Sequence, residues 1–308
     1  MRYHSASAFR QAIEDRLRQL PKDRDRSRLE RYRKQMVFDR LLTRLITSAP
    51  DQWIVKGGVA LDYRLGTRAR TTRDLDLARR DDEEAAIAEF LAAASLDLGD
   101  FFRFRVERLE TPENLEGVVV RFRVMGSLAG RPFETVGLDI GFSDSTDFPP
   151  EYLMGPALFT FAGIEPIEIP TIPLELHVAE KLHAYTRVYG DGHPSSRVKD
   201  LVDLVLIQAA ASLSAARLRD ALHQTFTGRD AHEMPAALPP PPESWGTPFR
   251  RMALEVSLAL DLDAAFTLAG QFLDPILSGV APDDARWNSA TGAWAVPDSS
   301  APDVPDGS

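Results

Sequence analysis

The segment Lys56–Asp76 reads KGGVALDYRLGTRARTTRDLD. A glycine pair follows a short apolar run, and two aspartates one residue apart close an arginine-rich turn. Trp53-Ile54-Val55 predicts a short strand, Gly57-Gly58 the turn after it, and Val59 to Leu65 a short helix stopped by Gly66. From Arg73 to Ala78 the chain alternates, with Leu75 and Leu77 on one face and Asp74 and Asp76 on the other. That is strand periodicity with carboxylates away from the core.

Working outward, Asp81 to Leu96 is alanine-rich and predicts a helix. Phe101–Leu109, Gly117–Met125 and Phe133–Phe142 predict strands, and their short links predict antiparallel meander pairing. On the other side, Phe9, Ile13, Leu17 and Leu20 have helical spacing, Asp23 to Ser27 reads as a charged turn, and a second helix runs from about Arg28 to Ser48. From Leu174 the pattern is helical. Stripes fall at Leu174–Val188, Val198–Ala209, Leu213–Phe226 and within 246–277, with a polyproline spacer at Pro239–Pro242. The fold class is α+β: a small mixed β-sheet core with N-terminal helices and a helical C-terminal part. The expected divisions are basic helices over 1–50, the core over 51–170, a helical domain over 171–296 and a disordered acidic tail over 297–308.

The chain has 308 residues, a net charge of −10 and no cysteine, which excludes disulfides and cysteine-ligated zinc. No apolar run has the length of a membrane helix, and the opening MRYHSASAFRQAIEDRL lacks the apolar core of a signal peptide. A cytoplasmic location without a membrane partner is expected. Residues 1–50 hold 13 Lys/Arg against 6 Asp/Glu, so the remainder carries −17. The basic segment fits either a face for phosphate or a solvated helix with intrahelical ion pairs.

Alternate strand residues point the same way, so Asp74 and Asp76 can share hard divalent cations. Two metals then clamp the attacking and leaving oxygens of a phosphoryl-type displacement. A lone DxD equally fits the solvent edge of an amphipathic strand. Gly57 and Gly58 let backbone N–H groups approach a phosphate at the start of a helix, without the pattern of a P-loop. Arg68, Arg70, Thr71, Thr72 and Arg73 offer phosphate donors or simply neutralise the aspartates. Arg64 is expected to tie the short helix to the sheet. Asp139, flanked by Gly137 and Gly141, adds a third carboxylate suited to metal binding or to deprotonating a hydroxyl. Lys181 borders an apolar stripe and can reach a triphosphate or snorkel over a core edge. Asp200 and Asp203 share a helix face opposite the apolar stripe, with Ser196 as N-cap.

In combination these residues resemble the AbiEii/AbiGii toxin family of the DNA polymerase beta-like nucleotidyltransferase superfamily. The carrying motifs are Lys56-Gly57-Gly58-Leu61, Arg70-Thr72-Asp74-Leu75-Asp76, Glu180-Lys181-Ala184 and Arg197-Lys199-Asp200-Asp203. The similarity covers roughly residues 28–210, and residues 211–308 carry no motif. It implies a nucleotidyltransferase of a type IV toxin–antitoxin or abortive-infection system, using Mg²⁺ or Mn²⁺ and an NTP. Transfer of NMP to an RNA or tRNA 3′ end would block translation, and a cognate antitoxin is the implied protein partner. Asp74 and Asp76 are implied as metal ligands, and Lys181 and Asp200 as active-site residues that bind or orient the nucleotide. Lys56, Gly57, Gly58, Arg70 and Thr72 are expected to line the substrate, with the helical part closing over it. A small-molecule or protein acceptor, and a non-catalytic antitoxin- or RNA-binding module, stay open as alternatives.

Overall fold

The computed structural model describes residues 1–20, 26–80, 82–110, 118–142, 148–189, 193–194, 197–229 and 231–297. The turn expected from Asp23, the start of the strand at Gly117, Ser196 and the tail beyond Pro297 lie wholly or largely outside them. The chain divides into two compact units, Met1–Pro173 and Leu174–Ser308.

In the first unit, β1 (Ile54–Lys56) leads into α3 (Gly57–Leu65) and β2 (Asp74–Arg79). Helices α1 (Ala6–Gln19) and α2 (Arg26–Ser48) precede them, and α4 (Glu83–Ser95) follows, capped by Asp82. The strands β3 (Phe102–Leu109), β4 (Val118–Leu128) and β5 (Arg131–Phe142) form the expected antiparallel meander. Two four-residue strands, β6 (Glu151–Met154) and β7 (Glu168–Thr171), complete the sheet. The order is β3-β4-β5-β2-β1-β7-β6. The sheet is mixed because β2 runs parallel to β5, and β1 parallel to β7.

One face of this sheet is the core. Leu75, Leu77, Val120, Phe122, Val124, Leu138 and Ile140 are buried there with Phe90 of α4 and with Met36, Val37, Leu41 and Leu45 of α2. Each such side chain contributes about 1.5–3 kcal/mol when removed from water. Strand alternation then forces Asp74, Asp76 and Asp139 onto the other face.

The basic excess of the N-terminal helices is divided: Arg16, Arg18 and Arg28 are exposed, whereas other cations are spent on tertiary partners. Arg31 pairs with Asp62 of α3, Arg33 with Glu14 of α1, and Arg44 with Asp100 in a fully buried two-pronged contact at 2.7 and 2.8 Å. Arg40 stands between Asp39 and Asp100. These cations knit α2 to its neighbours. Arg64 does what its position predicted: it binds Glu151 at 2.7 Å and the Thr171 hydroxyl at 3.1 Å, joining α3 to β6 and β7.

The second unit contains α5 (Leu174–Thr186), α6 (Val198–Gln208), α7 (Ala215–Arg229), α8 (Gly246–Glu255) and α9 (Leu262–Leu277). The polyproline run is docked rather than free, since Tyr185 donates to the Pro239 carbonyl at 2.7 Å. A hairpin of Arg286–Asn288 with Ala293–Ala295 closes the unit. Its Trp287 donates to the Gln208 carbonyl and its Trp294 to the Phe272 carbonyl, so two indole N–H groups bolt the hairpin to α6 and α9.

His183 of α5 is fully buried against Phe226 and His232. Burial, with Arg229, His232 and Arg187 nearby and Glu180 opposing them, pushes its pKa down to about 3. The unfolded chain therefore takes up a proton near pH 6.5 that the folded chain refuses. Stability is full above that pH and falls by about 1.4 kcal/mol per unit down to the folded value. Urea titrations across this range should show the slope, and His183→Phe should reduce it.

Candidate active site

The candidate side chains of the first unit's sheet lie on two adjacent rows across it. Lys56 of β1 pairs with Asp76 of β2, Asp76 with Asp139 of β5, and Asp139 with Arg121 of β4. The neighbouring row sets Asp74 beside Gly137 and Gly137 beside Arg123. The expected residues 56, 74, 76 and 139 are thus brought to one face, although β5 follows β2 by more than fifty residues.

Two glycines make room for the acids. A Cβ on Gly137 would lie 2.2 Å from Asp74 Oδ1, and one on Gly57 would lie 1.8 Å from Asp76 Oδ2. Each carboxylate therefore occupies space that any other residue would fill. Gly57 also has φ +60°, a conformation that favours glycine, and it begins α3. Asp76 thereby lies against the first residue of a helix, where the backbone dipole favours negative charge. Gly58 makes the same allowance for Thr72, whose hydroxyl would lie 2.6 Å from an added Cβ and donates to the Asp74 carbonyl. Arg70 sits in the same turn, half-buried.

Asp74 is exposed and Asp76 half-buried, so the pair is open to a cation held by oxygen ligands. Asp139 is placed differently. Arg121 grips it through Nε at 3.0 and 3.2 Å and through Nη2 at 2.8 Å. The arginine's pKa is raised by that hydrogen bond, by the charge of Asp139, and by Asp74 and Asp76. Sequence reading missed Arg121 because its partner is set by strand register, which no local pattern gives.

In the second unit Lys181 of α5 is buried between two acids of α6. Its Nζ lies 2.6 Å from Asp203 Oδ2 and 3.4 Å from Asp200 Oδ1. Arg197 Nε donates to the other Asp200 oxygen at 2.7 Å. Asp200 and Asp203 do share a helix face, but that face is interior, with both carboxyls about 1% exposed. The apolar stripe does not wrap far enough to predict this; the lysine on α5 makes the burial tolerable. An ammonium has three donors, so one remains after Asp200 and Asp203 are served. Glu180 accepts from Arg229 of α7 at 2.9 Å, so the two residues of the Glu-Lys dipeptide engage different helices.

The sequence profile of the nucleotidyl transferase AbiEii toxin of type IV toxin–antitoxin systems matches residues 40–287, so the chain belongs to that family. It is a nucleotidyltransferase of the toxin class. The match runs far beyond residue 210, and the helices α7 to α9 are therefore part of the family's architecture. Among solved structures, MenT4, a nucleotidyltransferase toxin from Mycobacterium tuberculosis H37Rv, is similar at 17% identity and a TM-score of 0.53, covering 90% of this chain and 99% of that one. JHP933 from Helicobacter pylori is similar at 16% identity and a TM-score of 0.42, covering 80% of this chain and 93% of that one. No curated protein matches the chain. Among the described residues no helix is long and apolar enough to cross a membrane.

Two outcomes follow from this geometry. Gly137→Ala should lower nucleotidyl transfer by about 10²-fold by displacing Asp74, because a 1 Å misplacement has that effect; steady-state rates beside an unfolding curve will separate this from loss of fold. Lys181→Met should lower the stability of the second unit by about 3–5 kcal/mol, because Asp200 and Asp203 lose their counter-ion. Adding Asp203→Asn should recover much of that loss in urea denaturation.

Proposed function

We propose that the protein transfers a nucleoside monophosphate from an NTP to the 3′ hydroxyl of an RNA, with tRNA as the acceptor and a block of translation as the consequence. The observation that carries this is the pair Asp74 and Asp76, each seated on a glycine that leaves space for its carboxylate and no other side chain. Such a pair suits a hard divalent ion, Mg²⁺ or Mn²⁺, which when bound neutralises phosphate charge and lowers the pKa of an attacking hydroxyl.

The chain's own groups supply the remainder. The Gly57-Gly58 turn and the N-terminus of α3 present backbone donors and a positive dipole to the triphosphate. Lys56, Arg70 and Thr72 flank the same carboxylates and are assigned to the substrate. Lys181 and Asp200 are assigned to binding and orienting the nucleotide, with the ammonium's third donor available to an oxygen. The acceptor oxygen forms a bond to the α-phosphorus and releases its proton to water. The bond from that phosphorus to the bridging oxygen breaks in line, and pyrophosphate leaves with the electron pair. Membership of a toxin family implies an antitoxin that restrains the reaction.

Incubation with Mg²⁺, each labelled NTP in turn and total tRNA should give labelled tRNA. Asp76→Ala should reduce the label by at least about 10²-fold, the scale of a lost electrostatic anchor. No transfer under any condition, or equal transfer by the variant, defeats the reading. Label on a protein or small molecule alone would keep the chemistry and replace the acceptor.

A further inference from the structure

A two-metal site of the ordinary kind needs carboxylates free to bridge a pair of ions about 3.5–4 Å apart. Here the third carboxylate is committed. Asp139 uses both oxygens on the Nε and Nη2 edge of Arg121, a fork geometry that is among the strongest a carboxylate accepts. Arg121 is one-third exposed and Asp139 one-fifth, so the contact is only partly screened by water. The guanidinium cannot release the charge by deprotonation. It also lies in the field of Asp74 and Asp76.

Charge counting points the same way. On the two rows, Asp74, Asp76 and Asp139 face Lys56, Arg121 and, one strand further out, Arg123, which is paired with Glu107 at 3.0 Å. Setting aside that outer pair, the two rows hold three acids and two cations, and Arg70 in the adjoining turn adds a third positive charge. One divalent ion therefore already makes the face net positive toward a triphosphate. A second ion would have to displace a guanidinium already hydrogen-bonded in three places.

We propose that Arg121 is a built-in substitute for the second metal: it holds Asp139, and the Asp74–Asp76 pair binds a single divalent ion. The inference rests on the nucleotidyltransferase reading above. Arg121 is a positioning residue, and its free Nη1, which has no partner among the described residues, is the one part of the fork still open to an anion.

Metal count separates the possibilities without any turnover. The probe is Mn²⁺ alone, titrated into the full chain and read by the free-ion electron paramagnetic resonance signal. The native chain should bind about one ion and Asp76→Asn should lose it. Arg121→Met should free Asp139 and raise the count to about two. The charge-neutral pair Arg121→Met with Asp139→Asn should return the count to one and leave the affinity within about twofold of the native chain. Two ions on the native chain, or an affinity lowered about tenfold or more by that charge-neutral pair, would overturn the proposal and leave the enzymatic reading standing. Mn²⁺ binding unaffected by Asp76→Asn would overturn both. Should Arg121→Met fail to fold alone, the charge-neutral pair and the native count decide.

Discussion

Three carboxylates share one face of a sheet, two of them directly opposite each other on neighbouring parallel strands. Like charges so placed repel, and the arrangement stands only because cations are built in beside it. Lys56 flanks Asp76 on one side and Arg121 grips Asp139 on the other. From β1 to β4 the row therefore reads cation, acid, acid, cation, and acid meets acid only at its centre. The rest of the first unit serves to hold the row in register: α2 and α4 load the opposite face with apolar side chains, so a slip of one residue would bury the aspartates.

The glycines extend the same constraint. Gly57 and Gly137 are not there for flexibility alone; a methyl at either would collide with a carboxylate oxygen. The first also starts a helix, so one residue satisfies a backbone turn, a steric vacancy and a dipole at once. The second unit treats charge in the opposite way. It buries Lys181, Asp200 and Asp203 almost completely and balances them internally, with Arg197 supplying the remaining positive charge from a more exposed position. The first unit leaves its charge row partly exposed, and the second buries its quartet. The family motifs sample both kinds.

What was legible in the sequence follows from how local each signal is. Alternation over Phe133–Phe142 and Arg73–Ala78 pointed to the strands Arg131–Phe142 and Asp74–Arg79 and to the face of the acids, and the Gly66 stop marked the end of α3. The parallel pairing of β2 with β5 was not legible, because register between distant strands depends on packing that no short window contains. For that reason Asp139 was visible and its partner Arg121 was not. The short strands Glu151–Met154 and Glu168–Thr171 carry too few residues to show a period, and Pro170 reads against a strand. The N-terminal basic excess was counted correctly, yet the count cannot say that Arg31, Arg33 and Arg44 are each spent on a tertiary partner.

This last point bears on how the acceptor is recognised. With Arg31, Arg33 and Arg44 of α2 committed to Asp62, Glu14 and Asp100, those three cations are poor sources of the phosphate contacts that steer nucleic acid. Nearer the carboxylates, the turn between α3 and β2 places Arg68 and Arg73 at the surface. A net charge of −10 opposes long-range attraction of a polyanion. An acceptor end would then be selected by fit at the carboxylate face rather than gathered by a broad basic surface, and binding so built has a shallow salt dependence.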